Sequence, residues 1–380
     1  MKNALREETL ENPERVKAIC DILLSANQDS RGTRGKHEYS IGIITALEEE
    51  FRAMIAMLDE EHKRPLDFMK SSDDSNNYVW GRIAQHNVVI VSFPFRVYGT
   101  NTAARVATLM VSAFPSIRMG LMVGIGGGVP SPNHDIRLGD IVVSSPGEGT
   151  TGGVVQYDFG KEEEGRFRRT GSLNKPPPAL LGALTSFQAR PRTKPLCEMV
   201  QHASMAIYQA FETHEDKPTY AYQALENDLL FKTPQTRPGI RGWLSDFLTL
   251  SSGDSLRPVG RKKRLRPRTP MIHYGLIASG NRVMKNGKER DFIFASLKED
   301  TNGGDCLCFE MEAAGLMDKF PCLVIRGISD YADSHKGHSW HGYASMTAAA
   351  FARESLYVLQ PTDVESSKEA REIMGQIHQS

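Results

Sequence analysis

Short continuous apolar runs alternate along this chain with segments whose apolar residues recur every three or four positions. Residues 39–46 form such a run, and residues 47–58 then show the spacing of an amphipathic helix. Residues 119–123, 140–144 and 273–279 continue the series of strand-like runs. Strands that alternate with helices predict an α/β protein, built on a mostly parallel sheet covered by helices on both faces.

The same pattern divides the chain into parts. Residues 1–37 are polar and of mixed charge, so we expect an N-terminal extension with one helix near 16–24. Residues 38–360 carry the periodic pattern and predict one domain. Within them, prolines and weak periodicity at about 160–270 predict an insertion of helices and long loops. Residues 361–380 are polar, with little to bury, and predict a tail or a linker to further domains.

Composition narrows the classes of partner. The chain has 46 Lys and Arg residues against 46 Asp and Glu residues, so its formal net charge is +0. This balance predicts neither a nucleic acid nor a membrane surface as partner. No apolar run approaches the roughly 18 residues that span a bilayer. The five cysteines are odd in number and lie mostly in apolar segments, which predicts reduced thiols and a cytoplasmic protein.

Candidate chemistry concentrates around one strand near the C-terminus. Residues 321–326 form a nearly continuous apolar run, typical of a strand buried on both faces. Glu310 and Glu312 precede this strand and Asp330 follows it. Ligands of open α/β sheets bind just beyond the carboxyl ends of such strands. The sequence therefore predicts acid/base chemistry on a small polar ligand at this position.

A glycine run at 124–128 follows another predicted strand. A dinucleotide fingerprint would need glycine where Val129 stands, and the Lys-Ser/Thr pair of a P-loop is absent. Two interpretations remain: a tight turn from strand to loop, or glycines that let the backbone approach a ligand closely. We favour the second, which makes Gly126 and Gly127 candidate binding residues.

Two other clusters carry weaker signals. His335, His338 and His341 have metal-ligand side chains, but Gly337 and the neighbouring residues favour a loop, so we predict no metal and no cofactor. The basic run at 261–268 is typical of a solvated or disordered loop, with contact to a polyphosphate or nucleic acid as the alternative.

Taken in order, five segments resemble motifs of the nucleoside phosphorylase/nucleosidase superfamily. The resemblance spans roughly residues 39–358 without the insertion, and the chain looks most similar to the domain that heads many fungal NACHT and ankyrin-repeat proteins, and to the methylthioadenosine/adenosylhomocysteine nucleosidases. It implies a three-layer fold around a twisted mixed sheet, a homo-oligomer (dimer or trimer), and cleavage of a purine N-glycosidic bond. The segments are 41–50 (IGIITALEEE), 124–128 with 138–144, 277–281, 310–313 and 328–333.

The resemblance also implies a role for each site residue. Asp330 matches the general acid at purine N7, Glu312 the residue that binds the ribose hydroxyls, and Met311 a residue that packs against the sugar. The alternative for either carboxylate is a helix cap or an ion pair. Four further residues match the base-binding segment of the family: Ser279, Asn281, Val283 and Met284. The nucleosidases carry an aromatic residue at the position that matches Val283.

The motifs favour hydrolysis over phosphorolysis. Phosphorylases of this superfamily carry an arginine two residues before the glycine turn, where Met122 stands. Glu50 stands where they carry a phosphate loop; it would repel phosphate but could accept a proton from water, as the matching glutamate of the nucleosidases does. The alternative for Glu50 is a residue that, with Glu48 and Glu49, only complements the helix dipole.

The 5′ side of the substrate stays open. Arg96 and the basic run at 261–268 could hold a 5′-phosphate or triphosphate, which would make the substrate AMP or ATP. An apolar pocket would suit adenosine or a thioether instead. Two other functions remain alternatives: a phosphate-dependent purine nucleoside phosphorylase, and a non-catalytic nucleotide-sensing module of a larger immune-type protein.

Overall fold

Buried apolar runs form the centre of the molecule in a computed structural model that describes residues 34–147, 151–164, 166–190, 195–211, 219–233 and 258–377. The helix expected near 16–24 lies outside these residues. Every residue of the strands at 41–45, 141–144, 306–310 and 322–330 is buried, as expected for strands covered on both faces.

The described strands belong to a large mixed sheet and a separate hairpin. The sheet contains β1 Ile41–Thr45, β2 Glu60–His62, β3 Tyr78–Ile83, β4 His86–Ser92, β5 Met119–Gly128, β6 Ile141–Ser144 and β7 Val154–Gln156, then β10 Ile272–Ser279, β11 Cys306–Glu310 and β12 Cys322–Asp330. The hairpin consists of β8 Gly160–Glu163 and β9 Arg166–Arg169.

The strand order is β11-β10-β6-β12-β5-β1-β4-β3-β2, with β7 beside β10. Strands β12, β5, β1 and β4 run parallel, whereas β3 and β2 add an antiparallel edge and β6 runs antiparallel to β12. The predicted α/β class with a mixed, mostly parallel sheet is confirmed.

One feature of the sheet was not predicted. Strand β11 pairs with β10 and also, antiparallel, with the end of β5, where Phe309 faces Gly127. Strands β5, β12, β6, β10 and β11 therefore close into a ring. This closure brings the carboxyl ends of β5, β11 and β12 to one place.

Helices cover both faces of the sheet, which confirms the three layers. One hydrophobic cluster joins α1, α3, α4 and α6 to one face, and a second joins α2 to the other. The helices are α1 Glu48–Ile55, α2 Thr100–Ala113, α3 Pro178–Ala189, α4 Leu196–Ala210, α5 Gly287–Asp300, α6 His341–Val358, α7 Pro361–Glu365 and α8 Ala370–Ile377.

Two segments differ from the sequence expectation. The region at 160–270 contains the β8–β9 hairpin besides helices and loops. The hairpin was not predicted because its polar strands carry no alternating apolar pattern. The tail at 361–380 was expected to bury little, yet it forms α7 and α8, and Val364 and Ala370 are buried against the core.

Candidate active site

A cavity of about 300 Å³ lies at the carboxyl edge of the sheet. It is bounded by the start of α1, the end of β5, the turn after β11 and the loop after β12. The structure brings most of the predicted site residues into its lining: Glu50, Gly126, Gly127, Val283, Met284, Met311 and Glu312.

Glu50 lies in the first turn of α1, directly after β1, and is 2% exposed. Its carboxylate accepts hydrogen bonds from the backbone N–H groups of Ala46 at 2.7 Å, Leu47 at 2.9 Å and Ile125 at 2.8 Å. Burial raises the pKa of Glu50, and the Arg326 guanidinium and these N–H groups oppose the rise. Of the three acids in this turn, Glu50 alone is buried and points at the cavity.

Arg326 is the fully buried cation beneath the site. It stands in β12, and its Nη2 donates to Glu310 Oε2 and, at 3.3 Å, to Glu312 Oε2. Burial alone would lower the pKa of Arg326, but the surrounding carboxylates, with Glu310 first, raise it. Arg326 therefore remains charged and stabilises acids that could not stay ionised alone in the interior.

Glu310 and Glu312 have different roles in this network. Glu310 accepts the backbone N–H groups of Glu312 at 3.1 Å and Ala313 at 3.0 Å, so it fixes the turn after β11. Glu312 lies in that turn and lines the cavity. Burial raises the pKa of Glu312; Arg326 opposes the rise, and the negative charge of Glu310 adds to it.

The glycine run explains how these side chains fit. It does not form the tight turn considered from the sequence, because β5 continues through Gly128. A Cβ at Gly124 would lie 2.4 Å from Arg326 Nη1 and 2.5 Å from Glu50 Oε1, and a Cβ at Gly127 would lie 2.8 Å from Asp330 Oδ1. The missing side chains make room for three charged groups.

Asp330 ends β12 and is 4% exposed. Its Oδ1 accepts the Ala332 N–H at 2.8 Å, and its Oδ2 accepts the Ser329 hydroxyl at 2.9 Å. Lys336 Nζ lies 3.0 Å from Oδ2. Ser329, Ala332 and Lys336 all line the cavity, so Asp330 stands immediately beside it. As the sequence alternative allowed, Asp330 and Glu312 are both ion-paired, but each pair lies at the cavity.

His341 contributes a polar group that the sequence analysis did not place in the site. It lies at the start of α6 and is 9% exposed, and its Nε2 has no hydrogen-bond partner in the described part of the protein. Burial, with the charges of His338 and Lys336, lowers the pKa of His341 to about 4. A neutral imidazole therefore lines the cavity together with His338.

Three predicted residues are not brought to the cavity. The Ser279 hydroxyl is fully buried and accepts the Ala314 N–H at 2.8 Å. The Asn281 side chain bonds with Thr100, accepting its N–H at 3.0 Å. Arg96 lies over the exposed Phe95 ring, outside the cavity lining. For Ser279 and Asn281 the reason is that their polar atoms hold neighbouring segments together.

Most of the basic run at 261–268 is an exposed loop, as expected, but two of its arginines are partly buried and paired. Arg261 Nη2 lies 2.7 Å from Asp228, and Arg264 Nη1 lies 2.6 Å from Asp140, with both arginine side chains 12% exposed. Opposite charges already engage these two guanidinium groups. This removes them as candidates for binding a polyphosphate.

Arg326 and Lys336 are the ionic partners that sequence reasoning missed. Arg326 left one signal, a charged residue at the end of an apolar run expected to be buried on both faces. Such a charge needs a partner. Lys336 left no signal, because its contact with Asp330 depends on the path of the loop between them.

The histidines near the cavity have ring neighbours in the structure. Among the described residues, no group of three or more His, Cys, Asp or Glu side chains is arranged to hold a metal ion. His335 instead stacks on Phe231, with ring centroids 3.9 Å apart.

No helix in the described ranges is long and apolar enough to cross a membrane.

Comparison with known proteins finds a fungal relative. No protein-family model matches the chain. A nucleotide-binding leucine-rich repeat (NLR)-like protein from Hyaloscypha variabilis is 42% identical over 342 residues, which cover 89% of this chain and 31% of that protein. The chain thus spans about a third of the length of this relative.

Solved structures share the fold. The 5′-methylthioadenosine/S-adenosylhomocysteine nucleosidase from Colwellia psychrerythraea 34H, in complex with adenine, gives a TM-score of 0.50 at 17% identity and covers 85% of this chain and 96% of its own. A structure from Borrelia burgdorferi B31 named for the same activity and bound to adenine gives 0.50 at 17% identity, covering 83% and 98%. The chain therefore shares the fold of these structures, as the resemblance implied.

Proposed function

We propose that this chain is a purine nucleosidase, which hydrolyses the N-glycosidic bond of an adenine nucleoside or nucleotide to free base and a ribose product. The observation that carries the proposal is the arrangement of Glu50, Glu312 and Asp330 around one cavity at the carboxyl edge of the sheet. The adenine bound to two proteins of the same fold supports a purine as ligand.

Each carboxylate has a role in this proposal. Cleavage develops oxocarbenium character on the ribose and negative charge on the departing base, so an acid near N7 and a base for water both lower the barrier. Asp330 serves the base, Glu312 accepts hydrogen bonds from the ribose hydroxyls, and Met311 packs on the sugar. Glu50 accepts a proton from the attacking water; burial raises its pKa, which suits that task near neutral pH.

Hydrolysis is favoured over phosphorolysis by the groups around Glu50. Met122 is fully buried in the core, and Arg118 donates to the Ser367 carbonyl. A phosphate beside Glu50 and Glu312 would meet two carboxylates, while Arg326 is engaged by acids. The phosphorylase alternative requires a sugar 1-phosphate as product.

The positively charged side chains that line the cavity are candidates for binding the 5′ group of the substrate. They are Arg282, Lys285 and Lys336, whereas Arg96 lies outside the lining. We propose Arg282 and Lys285 as the residues that would favour a 5′-phosphorylated substrate. Faster cleavage of ATP than adenosine, lost with Arg282→Ala/Lys285→Ala and weakened by salt, would support that preference. A preference for adenosine would exclude it.

The test of the function uses the purified chain without phosphate. We expect free adenine from adenosine, methylthioadenosine, AMP or ATP, together with ribose or its 5′-substituted form, measured by chromatography. Asp330→Asn should lower turnover by at least about a hundredfold, because asparagine keeps the shape but has no proton to deliver. Added phosphate should neither accelerate base release nor produce a sugar 1-phosphate.

A sensing module is the second candidate, and the NLR-like name of the fungal relative favours it. In that case the carboxylates would bind a nucleotide without turning it over. Saturable nucleotide binding by the folded chain, with no base released from any of these substrates, would replace the nucleosidase proposal with this one.

A further inference from the structure

The acid proposed at the purine base is held as a salt bridge. Lys336 Nζ lies 3.0 Å from Asp330 Oδ2, and the lysine side chain is 23% exposed at the cavity wall. Ser329 and Ala332 donate two more hydrogen bonds to the same carboxylate. Three donors thus converge on Asp330. The contact with Lys336 is a salt bridge between a carboxylate and an ammonium group.

This state creates a problem for the reaction. A departing purine needs a proton at N7, and an ionised Asp330 has none to give. Of the three donors to Asp330, the positively charged ammonium of Lys336 is the one that can release a proton, and Lys336 also lines the cavity. Lys336, which lies within hydrogen-bonding distance of Asp330, therefore carries the proton that Asp330 lacks.

We propose that Lys336 supplies, through Asp330, the proton that the leaving purine takes up at N7; this inference rests on the proposed nucleosidase function. As the C1′–N9 bond breaks, its electron pair goes to the purine, Lys336 Nζ gives a proton to the Asp330 carboxylate, and Asp330 passes a proton on to N7. Water adds to C1′ and gives its proton to Glu50. Afterwards solvent reprotonates Lys336 and takes the proton from Glu50, so protons and charges balance.

The surroundings leave few other groups to act in this way. From α6, His341 faces the pair, and its pKa is lowered to about 4 by burial. From β11, the Cys308 thiol is fully buried, which raises its pKa well above the ordinary value, and Asp330 adds to the rise. Neither group changes charge between about pH 6 and 9. Asp333, His335 and His338 share the loop of Lys336, so they are tested as controls.

Contacts made by its neighbours in the loop hold Lys336 in place. Arg290 donates to the Tyr331 carbonyl at 2.6 Å, and Phe231 stacks on His335. His335 N donates to Asp333 Oδ1 at 2.9 Å. Because these contacts do not involve the ammonium group, a change at Lys336 should leave the loop folded.

The experiment compares Lys336→Met, which removes the proton store, with Lys336→Arg, which keeps the charge but holds its protons too tightly to release them. Lys319→Met, an exposed lysine elsewhere on the chain, is the control. Rates of base release are measured from pH 5.5 to 8.5 on the purine substrate that the parent protein cleaves fastest. Thermal unfolding of each variant shows whether it is folded.

We expect kcat to fall about a hundredfold in Lys336→Met at pH 8, with little change in KM. Without Lys336, Asp330 must take up the proton from the solvent, where the proton concentration falls tenfold per pH unit. The ratio of parent to Lys336→Met rates should therefore grow by up to about tenfold per pH unit. Lys336→Arg should not restore the rate, and Lys319→Met should match the parent.

A purely structural role gives a different result. If Lys336 only positions Asp330, Lys336→Arg will restore most of the rate and the ratio of rates will not depend on pH; either outcome overturns the inference. Movement of the profile with His335→Gln, His338→Gln or Asp333→Asn, but not with Lys336→Met, would assign the proton store to one of those groups. An inactive parent protein would overturn the proposed function itself, whereas an active parent with unchanged Lys336 variants would overturn only this inference.

A second substrate separates proton delivery from substrate binding. A 4-nitrophenyl riboside leaves as a stable phenolate and needs no proton, so Lys336→Met should cleave it within a few-fold of the parent rate. An equal loss on the purine and on the nitrophenyl substrate would show that Lys336 acts on binding or folding, which contradicts the proposal. If the parent does not cleave the nitrophenyl riboside, the pH dependence decides.

Discussion

At the scale of single residues, the site depends on which carboxylates are buried and on what surrounds them. Glu48, Glu49 and Glu50 are identical in type, but Glu50 is enclosed by three backbone N–H groups, whereas Glu48 is exposed and pairs with Arg52. The resemblance implied that Glu50 is the base that accepts a proton from water. The sequence could not distinguish a base from a helix-dipole partner, because that difference lies in burial.

Burial of Glu50 gives a prediction for pH. A base must be ionised, and burial raises the pKa of Glu50 above its ordinary value of 4.5. Activity should therefore rise with pH through the raised pKa, so that acid inhibits the protein at a higher pH than an exposed glutamate would allow. A profile of kcat/KM between pH 4 and 8 measures the midpoint. Glu50→Gln should remove activity at every pH while substrate binding remains measurable; a midpoint at or below 4.5 would contradict this role.

Gly124 tests whether the space at the glycine run matters. In Gly124→Ala the new Cβ would overlap Arg326 Nη1 and Glu50 Oε1, so both groups must shift. We expect kcat to fall about tenfold to a hundredfold, because displaced catalytic groups lose their alignment. Gly182→Ala in α3 is the matched control, since nothing lies within 4 Å of its Cβ. That variant should keep full activity and gain about 0.5 to 1 kcal/mol in stability.

At the scale of elements, the sequence predicted the central strands well and the polar ones poorly. Strands β1 and β12 were visible as continuous apolar runs, and α1 as a helical pattern, although it ends at Ile55 and not near residue 58. The hairpin of β8 and β9 was missed because its strands, GKEE and RFRR, bury no alternating face. Pattern reasoning detects burial, and an exposed hairpin gives it no signal.

Arg326 joins several elements, and its removal should cost stability. In Arg326→Met the carboxylates of Glu310 and Glu312 lose their cation inside the protein, which should destabilise the fold by about 3 to 5 kcal/mol at pH 8. The deficit should shrink towards pH 5: burial raises the pKa of Glu312, so this acid binds a proton in the folded state at a pH where the unfolded chain, with its ordinary pKa of 4.5, does not.

Urea unfolding at both pH values measures this effect. The double variant Arg326→Met/Glu310→Gln should recover part of the loss. Arg353→Met, which breaks a partly exposed pair with Asp59, should cost no more than about 1 kcal/mol. Equal losses for Arg326→Met and Arg353→Met would show that the buried network does not stabilise the fold.

At the scale of the whole molecule, the closure of the strands into a ring could not be predicted from local patterns. It depends on β11 pairing with the end of β5, and these two segments are far apart in the sequence. The same long-range geometry places Lys336 against Asp330 and engages Arg261 and Arg264 with acids. The sequence indicated which residues carry chemistry, while tertiary structure decided which charges meet.

Two segments inside the insertion meet at one point. Phe231 forms a β-bridge with Pro258, and Val259 N donates to Leu230 O at 2.7 Å. The Phe231 ring also stacks on His335, one residue before Lys336. The bridge fixes Phe231 and Pro258 relative to each other, and the ring contact joins them to the loop that carries Lys336. Loss of the Phe231 ring should therefore loosen that loop.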